Sequence, residues 1–167
     1  MSSEKAGSLR GQPSLYEAVI ERITQTPGPR SGLMAGFARS YLHRLTLDRP
    51  TSPEALFHEV AGLYGLVERR VEPITVRAFN PTMAGHGYES DGTVVEVHVD
   101  DSPFLVDSIL NELEAHDLQV ARVLHPVIGT RRDESGQLIG LDSARSSEVA
   151  ESVQHYVLER RLFDADL

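Results

Sequence analysis

The fold turns on ten residues, His98–Asp107, which read HVDDSPFLVD. Just upstream, Val95, Val97 and Val99 alternate with Val94, Glu96 and His98. That two-residue period makes Thr93–Asp100 a half-buried strand. Downstream, Val106, Ile109, Leu110 and Leu113 recur at helical spacing, so Pro103 to about Asp117 is expected to be a helix with those four inward. The two aspartates and Ser-Pro therefore sit at a strand-to-helix junction.

Three readings of that junction are open. In the first, Asp100 and Asp101 end the strand, Ser102 caps the helix, Pro103 fills a position that needs no N–H donor, and the carboxylates lie near the positive end of the helix dipole. Each device is worth roughly 0.3–1 kcal/mol. In the second, His98, Asp100 and Asp101 are the acid–base groups of an independent enzyme. Adjacent strand residues point to opposite faces, however, so the two carboxylates do not converge on one atom without a sharp bend. A metal would need further ligands. In the third, the free N–H groups of the junction receive the carboxylate of an amino-acid effector while Asp100 or Asp101 meets its ammonium. The effector site would then comprise Asp100, Asp101, Ser102 and Phe104.

Working outward, Ile74–Phe79 reads as a strand, followed by a glycine-rich loop from Asn80 to Asp91. Gln119 to about Thr130 reads as one strand, parallel to Thr93–Asp100 through a crossover. Arg131–Gly136 is a polar turn with Arg131 and Arg132 at a solvated tip. Gln137–Leu141 is a short strand, Ser143–Ala150 a loop, and Ser152 to about Glu159 a further strand in preference to a helix. Toward the N-terminus lie three helical patterns. Pro13–Gln25 carries Leu15, Val19 and Ile23. Gly32–Leu47 carries Met34, Phe37, Ala38, Tyr41, Leu42 and Leu45. Thr51 to about Arg70 carries Leu56, Val60, Leu63, Tyr64 and Val67, and opens on a hydroxyl cap, a proline and Glu54. The expected organisation is a flexible tail at 1–12, a helical region at 13–72 and an α+β sheet-and-helix domain at 73–167.

Composition narrows the function classes. The 167 residues are 40% apolar and carry a net charge of -9. Residues 1–50 hold seven Lys/Arg against four Asp/Glu, and residues 51–167 hold nine against 21. The acidic part repels phosphate backbones, so no nucleic-acid partner is expected. No apolar run approaches the ~20 residues that cross a bilayer, and the polar start lacks a signal-peptide core, so a cytoplasmic location without a membrane partner is expected. Without cysteine, thiolate metal sites, disulfides and cysteine nucleophiles are excluded. There is no GxGxxG, no GxxxxGK[ST] and no GxSxG, and the one lysine is Lys5. The seven histidines, His43, His58, His86, His98, His116, His125 and His155, include no HExxH pair. His86 looks the most accessible, and His125 reads as a packed or edge residue.

Two segments, VVEVHVDDSPFLVDS (Val94–Ser108) and VLHPVIGTRRDESGQL (Val123–Leu138), resemble the first ACT-type domain of the large bacterial NAD-dependent glutamate dehydrogenases. The upstream runs ALFHEVAGLYGLVERR and VRAFNPTMAGHGYESDGTVVEV are similar to that family too, as is ESVQHYVLERR (Glu151–Arg161). The resemblance implies three lead-in helices and an ACT-like (ferredoxin-like) domain that is incomplete at its C-terminus unless Ile74–Phe79 fills an edge. It implies a non-catalytic N-terminal regulatory or oligomerisation segment, with no catalytic, cofactor-binding or metal residue of its own. NAD and the oxidative deamination of L-glutamate to 2-oxoglutarate and ammonia, an amino-acid catabolic step, would belong to the parent enzyme. The implied partners are the rest of that enzyme, other subunits or an amino-acid effector. The usual ligand loop of ACT domains has a glycine after the first strand. Here Ser102-Pro103-Phe104 stands instead, and proline removes an N–H donor. That departure favours a contact role over small-molecule binding.

Overall fold

A computed structural model describes residues 14–26, 28, 31–45, 50–144 and 149–163. The tail expected at 1–12 lies outside them. Helix α1 (Leu15–Gln25) is started by Ser14: its hydroxyl accepts the Glu17 N–H, and the Glu17 carboxylate accepts the Ser14 N–H. Helix α2 (Ser31–Leu42) ends before the expected Leu47, and residues 46–49 lie outside the described set. Helix α3 (Pro53–Glu68) is capped by Ser52, whose hydroxyl accepts the Ala55 N–H, with Pro53 in the first turn as its sequence leads one to expect. The apolar stripes of the three helices meet in one core: Val19, Ile23, Phe37, Ala38, Tyr41, Leu56, Val60, Leu63 and Val67 are joined there by Leu124, Ile128, Leu138 and Val153 from the sheet.

The sheet has six strands, β1 (Ile74–Phe79), β2 (Val94–Asp100), β3 (Val120–Leu124), β4 (Val127–Arg132), β5 (Leu138–Asp142) and β6 (Ala150–Leu158). Their order is β1-β2-β6-β4-β5, with β3 also on β6, and each pairing is antiparallel. The fold is α+β with a three-helix lead-in. The early strand β1 fills an edge beside β2. Strands β2 and β3 are each antiparallel to β6, so they run parallel to one another as expected, but β6 lies between them. The single strand expected over 119–130 is broken at His125-Pro126. Proline offers no ladder donor, and its carbonyl instead accepts the Val153 N–H at 3.0 Å. The chain bends there, so β3 and β4 pair with successive parts of β6. A short helix, α4 (Met83–His86), interrupts the loop expected at 80–91.

Helix α5 (Leu105–Ala115) has no fully buried residue, and its inward set, Val106, Ile109, Leu110 and Leu113, is partly buried. The lead-in helices cover the sheet face that bears Val153. The opposite face carries Val97, Gln154 and Tyr156, which are also buried. Burial stops short of the edge. Ile74 and Val76, on that same outer face of β1, are 61% and 60% exposed.

At the other end of the sheet, the turn before β5 is closed by Gly136 at φ +79. A Cβ there would stand 1.8 Å from the Arg70 carbonyl oxygen, so this position requires glycine twice over.

Candidate functional site

The junction singled out from sequence keeps its two carboxylates apart. Asp100 closes β2 and takes the Arg70 guanidinium at 2.6 Å, while Asp101 faces His125 at 4.0 Å. The Asp101 N–H still donates to the Ala150 carbonyl at 2.9 Å, one residue beyond the strand. The chain therefore cannot turn at once, and the capping expected of Ser102 does not occur. The helix begins at Leu105, and the residue before it, Phe104, is left-handed at φ 65, ψ 10 with no side-chain cap. Pro103 lies ahead of the helix rather than in its first turn. Asp107, not Asp100 or Asp101, is the acid in that turn. A left-handed non-glycine residue costs roughly 1–3 kcal/mol, and the Phe104 side chain recovers nothing by burial, being 76% exposed. Asp100, Asp101, Ser102 and Phe104 thus share one exposed rim.

Sequence reading missed a layer of charged side chains between α1–α3 and the sheet. In its first half, His155 directs one ring nitrogen to Glu96 (2.9 Å) and the other toward Glu59 (3.9 Å). Glu96 also pairs with Arg77, whose guanidinium donates to the Gly62 carbonyl at 2.7 Å. Glu59 receives Arg122 on both oxygens, at 2.8 and 2.9 Å, and the Tyr41 hydroxyl. In the second half, Glu151 accepts from His98 (2.7 Å), Arg132 (2.7 and 2.8 Å) and Thr130 (2.8 Å), and Arg70 stands 3.3 Å away, bridging to Asp100. Glu59, Glu96, His98, Glu151 and His155 are all buried.

Unpaired, such groups would cost several kcal/mol each. Here the pairing prevails. Burial pushes the Glu59 carboxyl up, but His155, Arg122 and the Tyr41 and Arg122 hydrogen bonds together hold it below its ordinary value. Glu151 is likewise pushed up by burial and brought well below its ordinary value by Arg132, His98 and Thr130. Burial first, then Glu59, raises Tyr41, so its hydroxyl remains a donor. His98 Nδ1 is buried without a partner among the described residues.

A signal for this layer was available. Glu96 and His98 share a strand parity, as do Glu151 and His155 on β6, and the register sets Glu96 opposite His155. Of the other candidates, Arg131 is exposed and pairs with Asp142 at 2.8 Å as a solvated tip residue would. Arg132 is not at a solvated tip: it turns inward to Glu151 and to the Val67 carbonyl. His125 is part-buried against the Ser152 hydroxyl at 2.8 Å, the packed position expected of it. His86 is exposed and stacks on Phe79 at 4.9 Å. Among the described residues, no group of three or more His, Asp or Glu side chains is placed to hold a metal ion, and no helix is long and apolar enough to cross a membrane.

Comparison with known proteins gives concordant matches. A family model described as glutamate dehydrogenase, ACT1 domain, matches residues 37–167. An NAD-specific glutamate dehydrogenase of Pseudomonas aeruginosa is 34% identical over 131 residues, which are 76% of this chain and 8% of that protein. One from Halomonas elongata is 32% identical over 77 residues, 46% of this chain and 5% of that protein. The chain thus spans less than a tenth of the length of these relatives. No solved structure matches it significantly.

Proposed function

This chain belongs to the glutamate dehydrogenase ACT1 domain family, and from that premise we propose that it is a non-catalytic, N-terminal regulatory and oligomerisation segment of a large NAD-dependent glutamate dehydrogenase. The parent enzyme would oxidatively deaminate L-glutamate to 2-oxoglutarate and ammonia with NAD in the cytoplasm. The segment's task would be contact with other subunits or with the rest of that enzyme. One observation carries the reading: Ile74 and Val76 stand exposed on the outer face of β1, which is an edge strand among the described residues. An unpaired edge next to uncovered apolar side chains is a surface built for a partner. Light scattering across a concentration series tests this. Self-association, or binding to the remaining part of a glutamate dehydrogenase of this family, supports it. A strict monomer that also fails to bind that part refutes it.

A second reading, an amino-acid effector held at Asp100, Asp101, Ser102 and Phe104, is favoured by the left-handed, exposed Phe104 at the head of α5. Calorimetry against the twenty amino acids tests it. Heat that disappears with Asp101→Asn supports the rim site, and no heat with any of the twenty dismisses it.

A further inference from the structure

Two charged surfaces of this chain are not balanced from within. The first is a shelf at the end of α2. A hollow of about 490 Å³ lies there, lined by Tyr16 of α1, by Arg39, Ser40, His43 and Arg44, and by the bend at Pro126. Tyr16 and the four α2 side chains are exposed, so the hollow is an open seat rather than an enclosed small-molecule pocket. Acids outnumber bases 25 to 16 in the chain, and Arg70, Arg77, Arg122 and Arg132 each hold a carboxylate. Arg39 and Arg44 hold none among the described residues. The negative end of the α2 dipole accounts for one such cation. It does not account for two arginines and a histidine gathered with two hydroxyls in one hollow.

The second surface is the solvent side of α5. Asp107, Asn111 and Glu114 follow one another at intervals of four and three residues, so they form one exposed stripe. Glu112, Glu114 and Asp117 crowd the C-terminal end, where the helix dipole is negative and acids are unfavourable. The last turn holds no Lys or Arg, and His116 stands against Glu112 alone, at 3.1 Å. Asp107, Glu114 and Asp117 have no side-chain partner among the described residues. Helix stability does not explain these acids, whereas a cationic partner does. The two surfaces adjoin. Burial lowers the His125 pKa, Asp101 opposes this from 4.0 Å, and Arg44 adds to it, so the shelf reaches the strand end that leads into α5. We propose that two copies of this chain pair by charge, the Asp107–Glu114 stripe of each seated on the Arg39–Arg44 shelf of the other. Adjoining patches of opposite sign are answered twice by a two-fold partner. The proposal rests on the subunit-contact reading above and gives it a surface other than the β1 edge.

The test is light scattering of the 167-residue chain and of two charge-reversed variants, Arg39→Glu/Arg44→Glu and Asp107→Lys/Glu114→Lys. All four positions are exposed, so both variants are expected to fold, which circular dichroism checks. The unaltered chain is expected to dimerise, and each variant alone to do so at least about tenfold more weakly, because like charges then meet. An equimolar mixture of the two variants should recover the dimer, since both contacts again join opposite signs. Raising the salt from about 0.02 to about 0.5 M should weaken pairing of the unaltered chain several-fold. A mixture that recovers no dimer, or self-association untouched by either reversal or by salt, would overturn the proposal. If that association is instead lost in Val76→Lys, the subunit-contact reading stands without this surface. A strict monomer overturns the proposal as well, and binding of that monomer to the rest of the enzyme would keep the broader reading.

Discussion

The two faces of the sheet reverse the usual distribution of polarity. The face toward α1–α3 carries Glu96, His98, Glu151 and His155, and it is the sealed one. The opposite face carries Val95, Val97 and Val99 with Ile74 and Val76 beside them, and it is the one left partly open. Cover, not hydropathy, decides which face is interior. Three helices bring Tyr41, Glu59 and a ridge of apolar side chains onto the charged face, and each charge there has a counter-charge within reach. Burial on the first side is held by specific pairing, whereas exposure on the second is an offer of contact area.

Breaking the sealed face should have the largest effect. Glu151→Ala strands Arg132, Arg70 and His98 in a dry layer, and should cost about 3–5 kcal/mol, read as a lowered urea midpoint by circular dichroism. Gly136→Ala comes next. It forces an alanine into a left-handed turn against the Arg70 carbonyl, on the segment whose own carbonyl accepts from Arg132. A loss of about 2 kcal/mol is expected in the same measurement. A third handle is acidity. Glu59 and Glu151 are held below their ordinary values in the folded chain, so the unfolded chain binds more protons as the pH falls. Their contribution is complete above the unfolded carboxyl range of about 4.3 and drains away as acid reaches the lower folded values. The urea midpoint should be flat near neutrality and fall as pH drops from about 5, by roughly 1–2 kcal/mol at pH 3. A midpoint that rises in acid would contradict the assigned pairing. The open face should respond least. Val76→Lys is expected to change stability by no more than about 0.5 kcal/mol, yet to weaken any self-association seen by light scattering. Loss of folding in that variant would mean the face is not open.

Much of the architecture is written locally. Ile74–Phe79 has the strand bounds its alternation implies, Ser52-Pro53 starts α3 as its chemistry dictates, and the apolar stripes of α1–α3 are the core. What is not local is what the sequence reading lost. Glu59 and Arg122 stand 63 residues apart, so neither residue's neighbourhood announces the pair. The place of β6 between β2 and β3 is a matter of long-range pairing. The left-handed Phe104 could not be anticipated, because steric preference assigns that conformation to glycine. The candidate junction lies on an exposed rim, and there the capping expected of Ser102 gives way to other bonds. Asp100 serves Arg70, and the Asp101 backbone serves Ala150, before any helix begins. The break at His125-Pro126 did carry a local warning in its proline.

The central position of β6 also sets a timetable for the ribosome. Among the described strands it is made last, yet β2, β3 and β4 all hydrogen-bond to it. A nascent chain that has reached only β5 can hold the β1–β2 and β4–β5 hairpins but no described strand that joins them, while β3 has no strand partner. Such a chain displays several bare strand edges, the species most prone to clump during synthesis. Fusions or truncations placed before Ala150 should therefore give insoluble product, whereas release of the strand through Leu158 allows the halves to be zipped together in one late, long-range step.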